Sequence, residues 1–284
     1  MSRGEVSSSL TEQVERLTAE SKARATAVSV HDLESGLRFS LRGDRWFHAA
    51  STIKVAVLLA LFRAVDEGRV RLDDSLHVRN RFFSAANGSP FQLNRDSDAM
   101  PELYQTIGQT AKVSALAEGM ISASSNLATN LLLDFVGVAY ARNVLRDAQV
   151  EGVELRRGVE DHAAHEKGIN NEATADGLMT LLSALRGNFL SSESKEQAIR
   201  ILLEQRFNSM IPAGVPPHAA VAHKTGEIST ACHDMGIVYL PEREPYIAVI
   251  LTEFDSEKEG RRETVAAISE AIYHSVIGMR GEIK

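Results

Sequence analysis

STIKVAVLLALFRAVDEG, residues 51–68, is apolar around nearly its whole circumference between Ile53 and Val65. A helix that is hydrophobic on every side belongs inside a domain rather than on its surface. Gly68 supplies its stop, since a glycine just past the last apolar turn favours the left-handed C-cap. The chain therefore needs a core thick enough to hide a central helix, and 284 residues, 44% of them apolar, allow one. Lys54 is the anomaly in this stretch. It is flanked by Ile53, Val55, Ala56, Val57 and Leu58, and a buried ammonium without a task is expensive.

Working outward from this helix, the period changes on both sides. ATAVSVHD (25–32) is β-branched and alternating, Glu34-Ser35-Gly36 is a turn, and LRFSLR (37–42) alternates again, so the pair reads as a hairpin. Before it, Leu10, Val14 and Leu17 predict an amphipathic helix over 9–23. After Val221 strands return as VAHKTG, HDMGIVYL and YIAVILTEF, followed by a last helix through Val265, Ile268, Ile272 and Ile277. Between 70 and 205 helical candidates dominate: KVSALAEGMISA, NLATNLLLDFV, TADGLMTLLSAL and ESKEQAIRILLEQ. The expected fold class is α/β (α+β), with an antiparallel sheet built from both termini and flanked by helices, plus an all-α lobe. The expected lobes are 1–50 with 206–284, and 51–205, with the active site in the cleft between them.

A formal net charge of -7 excludes a phosphate backbone as the main partner, so no nucleic acid is expected. The single cysteine, Cys232, can form no internal disulfide and reads as a packing residue. No run approaches the ~18 apolar residues of a membrane span, and the N-terminus lacks the apolar segment of a secretory leader. As the sequence stands, the reading is cytoplasmic with no membrane partner. A chain shorn of its leader would read the same and would then be periplasmic or secreted.

Three elements carry chemistry. Ser51-Thr52-Ile53-Lys54 places a hydroxyl and an amine three residues apart on one helix face, where a lysine with lowered pKa can take the serine proton. Alone the motif is weak, because about one Ser-x-x-Lys is expected by chance in a chain this long. Ser124-Ser125-Asn126 precedes a helix and offers a hydroxyl and an amide to a cleft; its plain alternative is an N-cap. His223-Lys224-Thr225-Gly226-Glu227 puts a fixed positive charge on a strand, with Gly226 letting a ligand approach the backbone. A given Lys-Thr-Gly triplet arises by chance in well under ~10% of such chains.

In this order the three elements resemble the signatures of class A β-lactamases and penicillin-binding proteins, and the likeness extends over roughly residues 20 to 280. The resemblance implies a β-lactamase/transpeptidase-like fold and an acyl-enzyme route. Ser51 attacks an amide or ester carbonyl, and Lys54 takes its proton directly or through water. Ser124 passes a proton to the leaving nitrogen, while Lys224 holds that network and attracts an anionic small-molecule substrate. Backbone N–H groups of Ser51 and Glu227 form the oxyanion hole, with Thr225 and Gly226 beside it, and Asn126 binds the substrate's amide. No cofactor is called for.

Departures from the family pattern concentrate in RRGVEDHAAHEKGINNEATADGLM (156–179), where a Glu-x-x-Leu-Asn deacylating motif is expected. Glu160, three residues after Arg157, fits by position; Glu166 fits by local pattern, since it begins Glu-Lys-Gly-Ile-Asn170. Position favours Glu160, with Glu166 its rival. The strand after Lys-Thr-Gly lacks the arginine with which many relatives hold a substrate carboxylate. His162 and His165 do not have the spacing of a zinc helix, so no metal is expected. Tyr104 is a candidate cleft-edge aromatic, with a plain surface or core tyrosine as the equal alternative, and the stretch within 82–100 reads as an insertion at the cleft rim. The leading expectation is hydrolysis of β-lactam amides. The alternatives are an esterase or D,D-peptidase-like amidase on the same scaffold, or a penicillin-binding sensor that stays acylated.

Overall fold

A computed structural model describes residues 3–278; residues 1–2 and 279–284, at the outer ends of the expected sheet-bearing lobe, lie outside the described residues. Helix α1 (Arg3–Glu20) starts earlier than its apolar spacing predicts, because Val6 joins Leu10 and Val14 in burying one face. The hairpin follows as β1 (Ala25–Asp32) and β2 (Arg38–Leu41). The chain re-enters the sheet only near its end, with β3 (Ala220–Ile228), β4 (Ala231–Tyr239) and β5 (Tyr246–Glu253). The spatial order is β3-β4-β5-β1-β2, all antiparallel, and Ala25 pairs with Glu253 at one end of the β1–β5 ladder and Asp32 with Tyr246 at the other.

Both sheet faces are covered, which explains why β5 reads as an unbroken apolar run rather than an alternation. Ile247, Val249 and Leu251 face one core, while Tyr246, Ala248 and Ile250 face the other. The second core is closed by α1 and by α9 (Arg261–Gly278), through Leu10, Val14, Val265 and Ile268. The first runs from the sheet into the helices between them. There α2 (Lys54–Asp66) is the buried centre, with all but a few of its residues hidden. Gly68 beyond it has φ 68°, the left-handed stop its position predicts.

Around α2 stand α3 (Val113–Ser122), α4 (Asn126–Val136) and α5 (Val138–Asp147), then the single turn α6 (His162–Glu166), α7 (Ala175–Arg186) and α8 (Ser192–Leu203). Helix α5 escapes the sequence reading: it follows α4 directly through Gly137 and buries only Ala141, Val144 and Leu145. Since one apolar core joins the sheet to the helical segment, the division at 50/51 and 205/206 stands as a proposed one. Among the described residues no helix is long and apolar enough to cross a membrane.

Candidate active site

Ser51 stands on a 3-10 turn, Ala50–Ile53, that feeds into α2. Thr52 Oγ1 donates to Ala49 O at 2.6 Å, and the N–H of Ala50 donates to His48 Nδ1 at 3.0 Å. Ala50 is held at φ 47°, a left-handed conformation that costs a non-glycine residue about 1–3 kcal/mol. Ser124 at φ 57° and Glu160 at φ 56° carry the same strain. Of these, Ala50 and Glu160 line one cavity of about 650 Å³, together with Ser51, Asn126 and Glu227 among others.

Beneath the cavity lie two ammonium groups that solvent does not reach. Lys54 Nζ donates to Ser124 O at 2.6 Å, Ser124 Oγ at 3.1 Å and Asn126 Oδ1 at 2.7 Å. Lys224 Nζ donates to the same Ser124 Oγ at 2.9 Å and to Thr225 O at 2.8 Å. The structure therefore joins Lys54, Ser124, Asn126 and Lys224 in one network, with Ser51 one helical turn from Lys54. The lysine's protons are committed to Ser124 and Asn126 rather than to the Ser51 hydroxyl, which the sequence expects it to reach. Burial drives the Lys54 pKa down to about 7, against the opposing charges of Asp98 and Glu160. Burial and the neighbouring Lys54 charge also hold Lys224 well below the ordinary lysine range, opposed by Asp234 and Glu227.

Ser125 realises the plain alternative weighed for its motif: its Oγ accepts from the N–H of Ala128 and caps α4. The cap and the functional pair coexist because Ser125 turns inward while Ser124 and Asn126 turn toward Lys54. On β3, a methyl group at Gly226 would lie 3.1 Å from Ser51 N and Thr52 N, so glycine is what lets the strand approach the nucleophile's turn. Glu227 beyond it is clamped by Arg262, whose Nε donates to both carboxylate oxygens at 3.0 Å. Arg262 comes from α9, well past the strand that follows Lys-Thr-Gly.

The rival glutamates separate. Glu160 lines the cavity, and its Oε1 accepts from Asn126 Nδ2 at 2.6 Å and Ser97 Oγ at 3.3 Å. Glu166 is exposed on α6 and does not line the cavity. Arg157 holds the loop from both ends, donating to Ile169 O at 2.7 Å, Gly158 O at 3.1 Å and Asn170 Oδ1 at 3.2 Å. Asn130, on α4, grips Val159 through both backbone groups, at 3.0 and 2.8 Å. Asn130→Ala is expected to lower stability by about 1–3 kcal/mol and to slow any turnover that needs Glu160, because the residue before it is set free. Thermal unfolding and a steady-state rate check this; a variant unchanged in both would show that the loop is held by Arg157 alone.

Tyr104 does not line this cavity. Its hydroxyl donates to Asp98 Oδ2 at 3.2 Å, and its ring packs against the larger apolar core. The 82–100 stretch does border the cavity, through Ser97, and is tied to the neighbouring loop where the N–H of Ala85 donates to Asp161 Oδ2 at 2.8 Å. The sequence reading missed Asp98 and His48. Burial, together with the charges of Arg157 and His165, lowers the His48 pKa to about 4, so this imidazole at the cavity wall is uncharged near pH 7. Among the described residues no cluster of three or more His, Cys, Asp or Glu is disposed to hold a metal ion.

A family model described as the beta-lactamase enzyme family matches residues 9–276. Among curated proteins the chain is similar to the beta-lactamase ROB-1 of Haemophilus influenzae, 26% identical over 256 residues, covering 88% of this chain and 79% of that one. It is also similar to the extended-spectrum beta-lactamase PER-1 of Pseudomonas aeruginosa, 23% identical over 235 residues, covering 78% and 72%. Among solved structures, a mutant of PBP-A in an acyl-enzyme complex with penicillin G superposes with a TM-score of 0.80 at 27% identity, over 95% of this chain and 96% of that one. An ancestral class A beta-lactamase does so with a TM-score of 0.80 at 26% identity, over 94% and 99%.

Proposed function

The chain belongs to the class A β-lactamase family, and from that premise we propose that it hydrolyses β-lactam amides through an acyl-enzyme on Ser51. The observation that carries this reading is the sharing of one hydroxyl, Ser124 Oγ, by two buried lysines, at 3.1 Å from Lys54 and 2.9 Å from Lys224. A serine hydroxyl held this way can change the direction of its proton, and that is what a leaving nitrogen requires.

The proton inventory supports the sequence of steps. Ser124 O and Asn126 Oδ1 can only accept from Lys54, so when Lys54 is neutral the group able to donate to its lone pair is Ser124 Oγ–H. Transfer from Ser51 needs one of the three bonds on Nζ to open. Ser124 is the partner that yields, because its Oγ–H occupies the lone pair that must receive the Ser51 proton, while Ser124 O and Asn126 Oδ1 hold the two N–H groups. Once Lys54 has taken the proton it donates to Ser124 Oγ, and the Ser124 proton turns to the nitrogen that leaves. Ester or lactam carbonyl oxygen is received by the backbone N–H groups of Ser51 and Glu227.

Deacylation falls to Glu160, which shares a cavity with Ser51, and the route is tested by mixing the protein with a chromogenic cephalosporin while following colour and intact mass. Steady colour is expected from the wild-type chain. Glu160→Gln is expected to lose turnover by about 10²–10⁴-fold and to trap the adduct, while Glu166→Gln turns over normally. A specific observation favours a second reading: Glu160 Oε1 is already bound to Asn126 Nδ2 at 2.6 Å, so its carboxylate is partly committed before a water arrives. A wild-type protein that shows a lasting mass adduct and little colour would be a penicillin-binding protein of slow release, as the likeness to PBP-A allows. No colour and no adduct would leave the esterase or peptidase reading.

A further inference from the structure

Taking Lys54 as the base that activates Ser51, we propose that Asp98 is a positioning residue for that base. Its carboxylate clamps the loop that presents Ser124 and Asn126, and its negative charge sets the proton affinity of Lys54. Asp98 lies outside every recognised motif, in the stretch that the sequence reads as an insertion.

Asp98 is buried, and its Oδ2 accepts from the backbone N–H of Asn126 and of Leu127, both at 2.9 Å, and from Tyr104 Oη at 3.2 Å and Ser125 Oγ at 3.3 Å. Oδ1 accepts from the N–H of Met100 at 2.9 Å. The first four N–H groups of any α-helix lack an intrahelical partner, and an anion is favourable there. Helix α4, though, already has its cap in Ser125, and two N–H groups could be met by a neutral oxygen. What calls for a full negative charge is the buried ammonium nearby: each hydrogen-bond partner of Lys54 is neutral.

The charged groups facing Lys54 come from three directions: Asp98 from the 95–104 segment, Glu160 from the loop after Arg157, and Lys224 from β3. Behind Lys224, Asp234 on β4 and Glu227 on β3 offset its charge. Of the groups that favour protonated Lys54, Asp98 acts most strongly, ahead of Glu160. The same carboxylate holds the first turn of α4 immediately after Ser124, whose left-handed φ of 57° needs fixed neighbours on both sides. Clamp and counter-charge thus reside in one group.

The test titrates Lys54 by NMR in protein labelled with 13C at lysine Cε, its signal assigned by loss in Lys54→Met. In Asp98→Asn and Asp98→Ser, both neutral, Lys54 is expected to titrate roughly one pH unit lower than in the wild-type protein, the lower end of what a nearby opposite charge contributes. Asp98→Glu, which keeps the charge while disturbing the clamp, is expected to titrate close to wild type. Tyr104→Phe, which removes only a neutral bond to Asp98, is expected to do the same. The acid limb of penicillin acylation should move with the NMR titration. Neutral variants that titrate with the wild type, or an Asp98→Glu or Tyr104→Phe variant that moves as far as Asp98→Asn, would overturn the proposal. If one neutral variant does not fold, the other reads the same quantity. The NMR arm needs no substrate, so absence of a Ser51 adduct would defeat the proposed function while leaving this coupling to stand or fall by itself.

Discussion

Ser51→Ala is expected to abolish the penicillin adduct seen by intact mass and to reduce cephalosporin turnover by about 10⁴-fold or more, in line with nucleophile removal in other acyl-enzyme hydrolases. The size follows from the chemistry: with no hydroxyl at this position the route through a covalent ester is closed, and only binding and oxyanion stabilisation are left. Folding should be untouched, with stability within about 0.5 kcal/mol of wild type. The 3-10 turn is built by Thr52 Oγ1 on Ala49 O and by the Ala50 N–H on His48 Nδ1, bonds that alanine at 51 does not disturb. An adduct persisting on Ser51→Ala at the wild-type rate would place the nucleophile elsewhere.

Lys54→Met should slow acylation by about 10²–10⁴-fold and erase its acid limb. In the wild-type protein acylation is expected to rise through pH about 7, where buried Lys54 loses its proton and gains the lone pair that a base requires. The folded-state pKa lies below the ordinary lysine value of 10.5, so from about 7 to 10.5 the unfolded chain holds a proton that the folded chain has released. Stability therefore rises with pH across that window, and the burden of a buried ammonium is felt in full below it. Lys54→Met should flatten this rise only in part, since Lys224 is depressed in the same direction. Stopped-flow acylation and denaturant unfolding at several pH values check both halves; an unchanged acid limb in Lys54→Met would remove Lys54 from the proton path.

What the sequence makes legible is what it signals locally. The all-round apolarity of 53–65 marks α2, and the β-branched runs near both termini mark the sheet, because each pattern spans enough residues to state its period. Ser51, Lys54, Ser124 and Lys224 stand out because each belongs to a short motif with a mechanism behind it. Asp98 carries no such signal. Its meaning arises from a fold-back that brings it to Asn126 and Leu127, and nothing within its own stretch distinguishes it from Asp96 two residues earlier. Tyr104 shows the same limit: an aromatic near a cleft is visible in sequence, but the direction of its hydroxyl is fixed by Asp98. The choice between Glu160 and Glu166 rests on position in the sequence, and three-dimensional contacts with Asn126 and Ser97 are what separate them.

The late arrival of β5 has a consequence for how the protein is made. β1 is an interior strand, yet its neighbour on one side spans residues 246–253. On a ribosome adding ~5–20 residues per second, β1 waits roughly 10–45 s after its own synthesis before that neighbour emerges. Throughout this interval the nascent chain displays an apolar strand with one open flank, the kind of surface that chaperones retain and that other unfinished chains can capture. Any product cut short before residue 224 lacks the second lysine as well as the closing strands, and with them the site.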